Sequence, residues 1–144
     1  MGGRAGFTLL ELIIVIFLIT LMLGLSAVFF ANTLPAGRFN ATAREIASTI
    51  RQARHLAVLN GEKQTLAIDM DSRSYRIEGR GGKILPAEIG IKVIDPLAGD
   101  ITRGTYHMAF HAAGNAEGGT VVLWNSTRQV RINIDPVAGV VIIN

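Results

Sequence analysis

From Phe7 to Ala31 the chain runs for 25 residues in which Glu11 is the only ionisable side chain. At about 1.5 Å per residue this makes a helix of about 37 Å, enough to cross a hydrocarbon layer of about 30 Å with some tilt. A carboxylate is a poor fit to such a run. At the bilayer centre a charged side chain costs about 2.5 to 3.5 kcal/mol, and less towards an edge, so Glu11 calls for a partner. Gly24 and Ser26 interrupt the run with small residues, which either let helices approach closely or are simply tolerated there. Asn32-Thr33-Leu34-Pro35-Ala36-Gly37 then breaks the pattern. Pro35 removes a helical hydrogen bond, so a kink or a short unwound segment is expected at this point.

A second, amphipathic helix pattern follows. Thr42-Ala43-Arg44-Glu45 has the spacing of a capping box. Beyond it Ala43, Ile46, Ala47, Ile50, Ala53 and Ala57 recur at helical spacing, while Arg44, Ser48, Arg51 and His55 occupy a separate polar face. Asn60-Gly61 is a suitable stop. The apolar stripe is narrow and rich in alanine, so something flat is expected to pack against it.

From Gln64 the period changes to two. Leu66, Ile68 and Met70 alternate with polar or small residues, and Asp71-Ser72 turns the chain into Tyr75 and Ile77. Gly79 to Pro86 reads as a loop and Ile89, Ile91 and Val93 as a strand, with a turn-rich stretch from Asp95-Pro96 to Gly104. Tyr106, Met108 and Phe110 form the next strand, then a glycine-rich loop from Ala112 to Gly119 leads into Thr120–Trp124. A turn at Asn125–Thr127, a strand through Val130, Ile132 and Ile134, a turn at Asp135-Pro136 and a last strand at Val140–Ile143 complete the chain. About seven short strands after one long helix predict an α+β fold. In it a long N-terminal transmembrane helix with a kink packs its C-terminal half on mostly antiparallel sheet. The expected division is a leader over 1–6, an apolar helix over 7–34, its amphipathic continuation over 35–61 and a sheet domain over 62–144.

Composition adds bounds. The chain has no cysteine, which removes disulfides, thiolate nucleophiles and cysteine-ligated metals. The formal charge of +3 is a weak indicator of partners. Basic residues near the apolar run, Arg4 before it and Arg38 and Arg44 after it, do not settle which way it crosses a membrane. No nucleophile elbow, phosphate loop or acid–base pair stands out, so an enzyme is not expected. His107 and His111 lie four apart on one predicted strand face without a third ligand, and His55 is expected at the surface. Asp69-Met70-Asp71-Ser72 lacks the glycine and terminal acid of a calcium hand and reads as turn aspartates. Neither a metal nor a cofactor is expected.

Glu11 has one arrangement that accounts for it. If the chain is cut between Gly6 and Phe7, a new α-amine lies at the start of the helix, and the acid of one chain can meet the amine of a neighbour. Each charge alone is costly in lipid, and the pair far less so. Gly6-Phe7-Thr8-Leu9-Leu10-Glu11-Leu12 resembles the class III leader of type IV pilins and type II secretion pseudopilins. That resemblance implies cleavage after Gly6 by a prepilin peptidase, N-methylation of Phe7, and a role for Glu11 in subunit assembly.

Ala53-Arg54 through Asn60-Gly61 with the Gln64–Met70 strand is similar to the GspH/FimT branch of the pseudopilins. So is the closing pattern Val121-Val122-Leu123, Val130-Arg131-Ile132 and Gly139-Val140-Val141. This implies a minor pseudopilin of a type II secretion system in a short hetero-oligomeric filament. Its partners would be other pseudopilins, the prepilin peptidase, an inner-membrane assembly platform and lipid. The location implied is the bacterial inner membrane, crossed once, with the C-terminal domain in the periplasm. The alternative is a minor type IV pilin of the FimT kind. Under it the basic cluster Arg73, Arg76, Arg80 and Lys83, together with Tyr75, would contact DNA. The plainer reading is a solvated basic hairpin.

Overall fold

The computed structural model describes residues 6–139 and 141–143, with backbone alone at 28–36. Of the leader expected over 1–6, only Gly6 lies among the described residues. The chain divides into two compact units, Met1–Arg38 and Phe39–Asn144. A single helix, α1 (Leu9–Asn60), runs through most of the described part of the first and opens the second. It remains helical through Asn32–Gly37, so the unwound segment expected there does not form. Proline removes only its own N–H from the ladder, and the flanking turns keep theirs. Thr42–Glu45 is likewise no helix start. It lies in mid-helix, with Thr42 buried.

In the first unit Leu9–Ala27 is long and apolar enough to cross a membrane, with a mean hydropathy of 2.7 and none of it buried within the chain. Its two hydroxyl residues after the first turn are neutralised locally. Thr20 Oγ1 donates to the carbonyls of Ile16 (3.0 Å) and Phe17 (2.9 Å), and Ser26 Oγ donates to that of Met22 (2.8 Å). Neither hydroxyl therefore presents an unsatisfied donor, which explains why an apolar run accommodates them.

In the second unit the helical stripe is buried as its spacing requires. Phe39, Ala43, Ile46, Ala47, Ile50, Ala53 and Ala57 are all buried, and Arg44, Ser48, Arg51 and His55 are exposed. The strands that receive this stripe are β1 (Gln64–Asp69), β2 (Ser74–Ile77), β3 (Lys83–Ile84), β4 (Gly90–Asp95), β5 (Gly99–Ile101), β6 (Thr105–Phe110), β7 (Gly119–Trp124), β8 (Gln129–Ile134) and β9 (Val141–Ile143). They form two sheets, β3-β2-β1-β6 and β5-β4-β7-β8-β9, with every pairing antiparallel. In the first, Leu66 stands between Ile77 and Met108, and Ile68 between Tyr75 and Tyr106, so one face of three strands is apolar. In the second, Ile91 faces Leu123 and Val93 faces Val121, which in turn faces Ile132. These residues and the α1 stripe join in one core, most of it with no solvent exposure.

Two strands were hidden in sequence. β3 lies inside the expected loop from Gly79 to Pro86, and β5 lies inside the turn-rich stretch after Asp95. Both are short and largely exposed, so neither carries the alternation that marks a half-buried strand. Backbone pairing defines them, with β5 also held by Lys92 Nζ to Asp100 Oδ2 at 2.6 Å. The β1–β2 connection is also longer than the two-residue turn expected at Asp71-Ser72, running from Met70 to Arg73.

Four turns share one device, an Asp or Asn whose Oδ1 accepts two backbone N–H groups ahead of it. Asp69 takes Asp71 (2.9 Å) and Ser72 (3.0 Å), and Asp95 takes Leu97 (2.8 Å) and Ala98 (2.7 Å). Asn125 takes Thr127 (3.0 Å) and Arg128 (2.8 Å), and Asp135 takes Val137 and Ala138, both at 2.8 Å. Two of these turns are nearly the same sequence, Asp95-Pro-Leu-Ala-Gly99 and Asp135-Pro-Val-Ala-Gly139, and each closes on a glycine with φ of 77° or 58°. Both leave the same end of the five-stranded sheet, on either side of the start of β7. Gly139 has a second reason to be glycine. A Cβ there would lie 2.5 Å from both Arg54 Nε and the Gly114 carbonyl, the two groups that hydrogen-bond at 2.9 Å to tie α1 to the loop after β6. The two sheets are tied by Tyr106 Oη, which donates to Asp95 Oδ2 at 2.7 Å.

Two outcomes follow from this packing. Ile50→Ala removes a side chain with no exposure, and a loss of about 2 to 5 kcal/mol in denaturant unfolding is expected, against less than about 0.5 kcal/mol for the adjacent exposed Arg51→Ala. The second concerns acid. Asp135 is held below the usual carboxylate range by the N–H groups of Ala138 and Val137, Asp95 by the N–H of Ala98 and the hydroxyl of Tyr106, and Asp69 chiefly by the N–H of Ser72. Each binds its proton more weakly folded than unfolded. Their stabilisation is therefore complete above the unfolded value of about 3.9 and is lost as pH falls through the folded values. Asp135→Asn keeps the turn, as Asn125 does in its own, and removes that titration. Unfolding midpoints followed from about pH 5 down to pH 2 should decline less steeply in this variant, and an unchanged slope would refute the assignment.

Candidate functional site

The N-terminal segment is built on a cap. Thr8 Oγ1 accepts the N–H of Glu11 at 3.3 Å, and the Thr8 carbonyl accepts the N–H of Leu12 at 3.2 Å as the first bond of the helical ladder. Thr8 is thus the N-cap, and Thr8-Leu9-Leu10-Glu11 has the capping-box spacing that the sequence also carries at Thr42–Glu45. The signal was present in sequence at both places. Only the first begins a helix.

Glu11 consequently lies in the first turn of α1, at the positive end of the helix dipole, which moderates the cost of its charge. Its side chain is exposed, and among the described residues it forms no ion pair. Phe7, just before the cap, is 81% exposed. Gly6, Phe7 and Glu11 therefore stand together at the start of an uncovered apolar helix, one turn apart along it.

The basic hairpin is rearranged relative to its linear order. Arg73 precedes β2 in a left-handed conformation (φ 50°), and its Nη1 donates to the Ala87 carbonyl at 2.6 Å, stapling the turn to the chain after β3. Lys83 pairs with Glu45 of α1 at 2.5 Å. Tyr75 faces inward. It is 3% exposed, and burial followed by the neighbouring Glu45 carboxylate pushes its phenol up to about 12. Tyr75 therefore borders the cleft beside the basic residues while exposing almost none of its ring. Arg76 and Arg80 remain, and neither guanidinium has a hydrogen-bond or ion-pair partner among the described residues. With Lys83, Thr49 and Gln52 they line a cleft of about 180 Å³ between α1 and the hairpin.

The remaining polar candidates have local partners. β6 ends at Phe110, and His111 lies in the following turn, its N–H bonded to the Asn115 carbonyl at 2.9 Å. His107 and His111 thus do not share a strand face as expected. The pairing of Phe110 with Ala116 closes the strand before His111. His107 Nδ1 instead sits 3.3 Å from Glu78 Oε1. Asp69 is occupied by its turn, and Asp71 Oδ2 accepts the N–H of Gly104 at 3.0 Å, so both carboxylates of that loop hold backbone rather than pointing at a common centre.

Comparison with known proteins adds three findings. Residues 1–27 match the prokaryotic N-terminal methylation motif, and residues 42–138 match the family described as type II transport protein GspH. No curated protein matches the chain. Among solved structures it is similar in fold to two of the minor pseudopilin EpsH from the type II secretion system of Vibrio cholerae. One has 12% identity and a TM-score of 0.58, covering 74% of this chain and 96% of that one. The other has 10% identity and a TM-score of 0.62, covering 74% and 93%. The apolar helix and the methylation motif together point to membrane anchoring. With most of the sheet domain inside the matched region, the chain belongs to the family of type II transport protein GspH.

Proposed function

We propose that the chain is a minor pseudopilin of a type II secretion system, which assembles through α1 with other pseudopilins and carries its sheet domain on the outside of the filament. The observation that supports this reading is the combination at the N-terminus. A capped helix carries a 19-residue apolar span that none of the described residues covers, and it holds one carboxylate with no ion-pair partner among them.

The mechanism is structural. A prepilin peptidase cuts between Gly6 and Phe7, and the new amine of Phe7 is methylated. In lipid, that cation and Glu11 are each unfavourable alone. Within one chain the amine lies at the same end of the helix as the acid. A neighbour displaced along its axis brings the amine of one subunit to the acid of the other, and the pair fixes that displacement. The apolar faces then pack by close contact, with Gly24 open to approach on its surface. The chain is taken to cross the bacterial inner membrane once, with 39–144 in the periplasm and an inner-membrane platform driving assembly. The amphipathic half of α1 needs no partner for its stripe, because the sheets already cover it.

Mass spectrometry of the chain extracted from the membranes of a host with a prepilin peptidase should find Phe7 as the first residue, heavier by one methyl group. An intact Met1 there would leave Glu11 without its cation and end the proposal. Glu11→Ala should lower incorporation into co-expressed filaments by at least about tenfold, since it leaves an unpaired amine in the bundle at a cost of several kcal/mol. Membrane insertion of the variant should be unaffected. Incorporation at the wild-type level would contradict the pairing.

A further inference from the structure

We infer that the cleft between α1 and the β2–β3 hairpin is a recognition site for carboxylate groups on an acidic segment of a partner protein. This inference stands on the cleft alone and not on how the chain assembles. The charged groups of its walls are all cationic, and Tyr75, Ile77 and Gly81 supply the rest of the hairpin side. Arg76, Arg80 and Lys83 come from the hairpin, Thr49 and Gln52 from α1, and the cleft of about 180 Å³ is the size of a side chain rather than of a folded ligand. Lys83 is already held by Glu45, and Arg73 is tethered to the Ala87 carbonyl. Arg76 and Arg80 are exposed and unpaired, with Asp69 the acid that Arg76 influences through space. The free guanidinium of Arg80 beside the Gln52 amide and the Thr49 hydroxyl forms a donor set for planar, doubly hydrogen-bonded oxyanions, and Arg76 adds its charge from the other face of β2, where it also neighbours Asp69.

The site extends along the helix. Gln52 also lines a broader, shallower depression on the exposed face of α1, formed with Ser48, Arg51, Arg54, His55 and Val58. Arg54 donates to the Gly114 carbonyl, which holds its side chain but leaves its charge, and Arg51 is a second cation of that depression with no ion-pair partner among the described residues. Two cationic hollows that meet at Gln52 suit a short acidic stretch laid across the helix, with one carboxylate in each.

Nucleic acid is the competing ligand for a basic surface, and the surroundings disfavour it. Tyr75 is the aromatic residue that lines the cleft, and at 3% exposure it offers no face on which a base could stack. Glu78 flanks the hairpin and is exposed, so a continuous phosphate backbone leaving the cleft on that side would meet a carboxylate. An acidic peptide can place uncharged residues there.

The test uses the full chain in zwitterionic detergent, observed by NMR at its backbone amides and arginine Nε–H groups. It is titrated with a blocked tetra-aspartate peptide, the matching tetra-asparagine peptide, and a single-stranded oligonucleotide. The aspartate peptide should produce saturable shifts at Gln52, Arg51, Arg76 and Arg80 that fade with added salt, and the asparagine peptide should produce none. The double variant Arg76→Ala/Arg80→Ala should weaken the aspartate titration roughly tenfold or more, whereas Arg131→Ala, the same charge removed from an exposed position on β8, should leave it unchanged. Equal weakening by Arg131→Ala would reduce the effect to net charge. Absence of saturable shifts, or tighter binding of the oligonucleotide than of the peptide, would overturn the assignment.

Discussion

One helix is asked to serve two solvents, and the rest of the molecule follows from how it does so. Over Leu9–Ala27 α1 is apolar on every side apart from Glu11 and two locally bonded hydroxyls, and the described residues leave it uncovered. From Phe39 onward it is apolar along a single stripe, and two sheets cover that stripe completely. Uncovered apolar surface on this scale is unstable in water, so the first half demands lipid or other helices. The second half is satisfied within its own chain. The narrow alanine-rich stripe matters here, because small side chains let the helix sit close to the strands while Phe39, Ile46 and Ile50 fill the space between.

Beyond the shared core, a few polar ties at the margins connect the sheets and the helix. Tyr106 to Asp95 joins sheet to sheet, Arg54 to the Gly114 carbonyl joins helix to loop, and Lys83 to Glu45 joins helix to hairpin. The last is an exposed pair and contributes little to stability. Its effect is on charge: it pairs the exposed lysine of the hairpin with an exposed glutamate of α1. Arg76 and Arg80 then stand in that region without a hydrogen-bond or ion-pair partner for their guanidiniums among the described residues.

What could be read from the sequence was whatever repeats with a period. The stripe from Ala43 to Ala57 has the spacing of a helix and is buried residue for residue. The alternating strands through Leu66, Ile91, Met108, Val121 and Ile132 lie where their period of two places them. Elements without a period were invisible. β3 and β5 exist through backbone pairing and show no apolar face. The Thr-x-x-Glu signature was ambiguous for a related reason. It describes one turn and does not say whether a helix already precedes it, so Thr42–Glu45 was read as a start while the working cap lay at Thr8–Glu11.

Tyr75 gives a different lesson. Its parity with Ile77, two residues on, already assigns it to the buried face, so its loss as a stacking surface was legible in the same alternation that located β2. The contacts that singled out Arg76 and Arg80 were not legible. The pairing of Lys83 with a residue 38 positions earlier, and of Arg73 with a carbonyl 14 positions later, arises only from the tertiary fold.

The division of α1 between two environments can be measured without disturbing native thiols, since the chain has no cysteine. Ile16→Cys and Arg51→Cys, each as the sole thiol in intact membranes, are exposed to a membrane-impermeant maleimide from the side that carries the sheet domain. Position 51 should label at once, and position 16 only after detergent is added. Labelling of position 16 in intact membranes at the rate of position 51 would show the apolar half standing in water, and the account would fail.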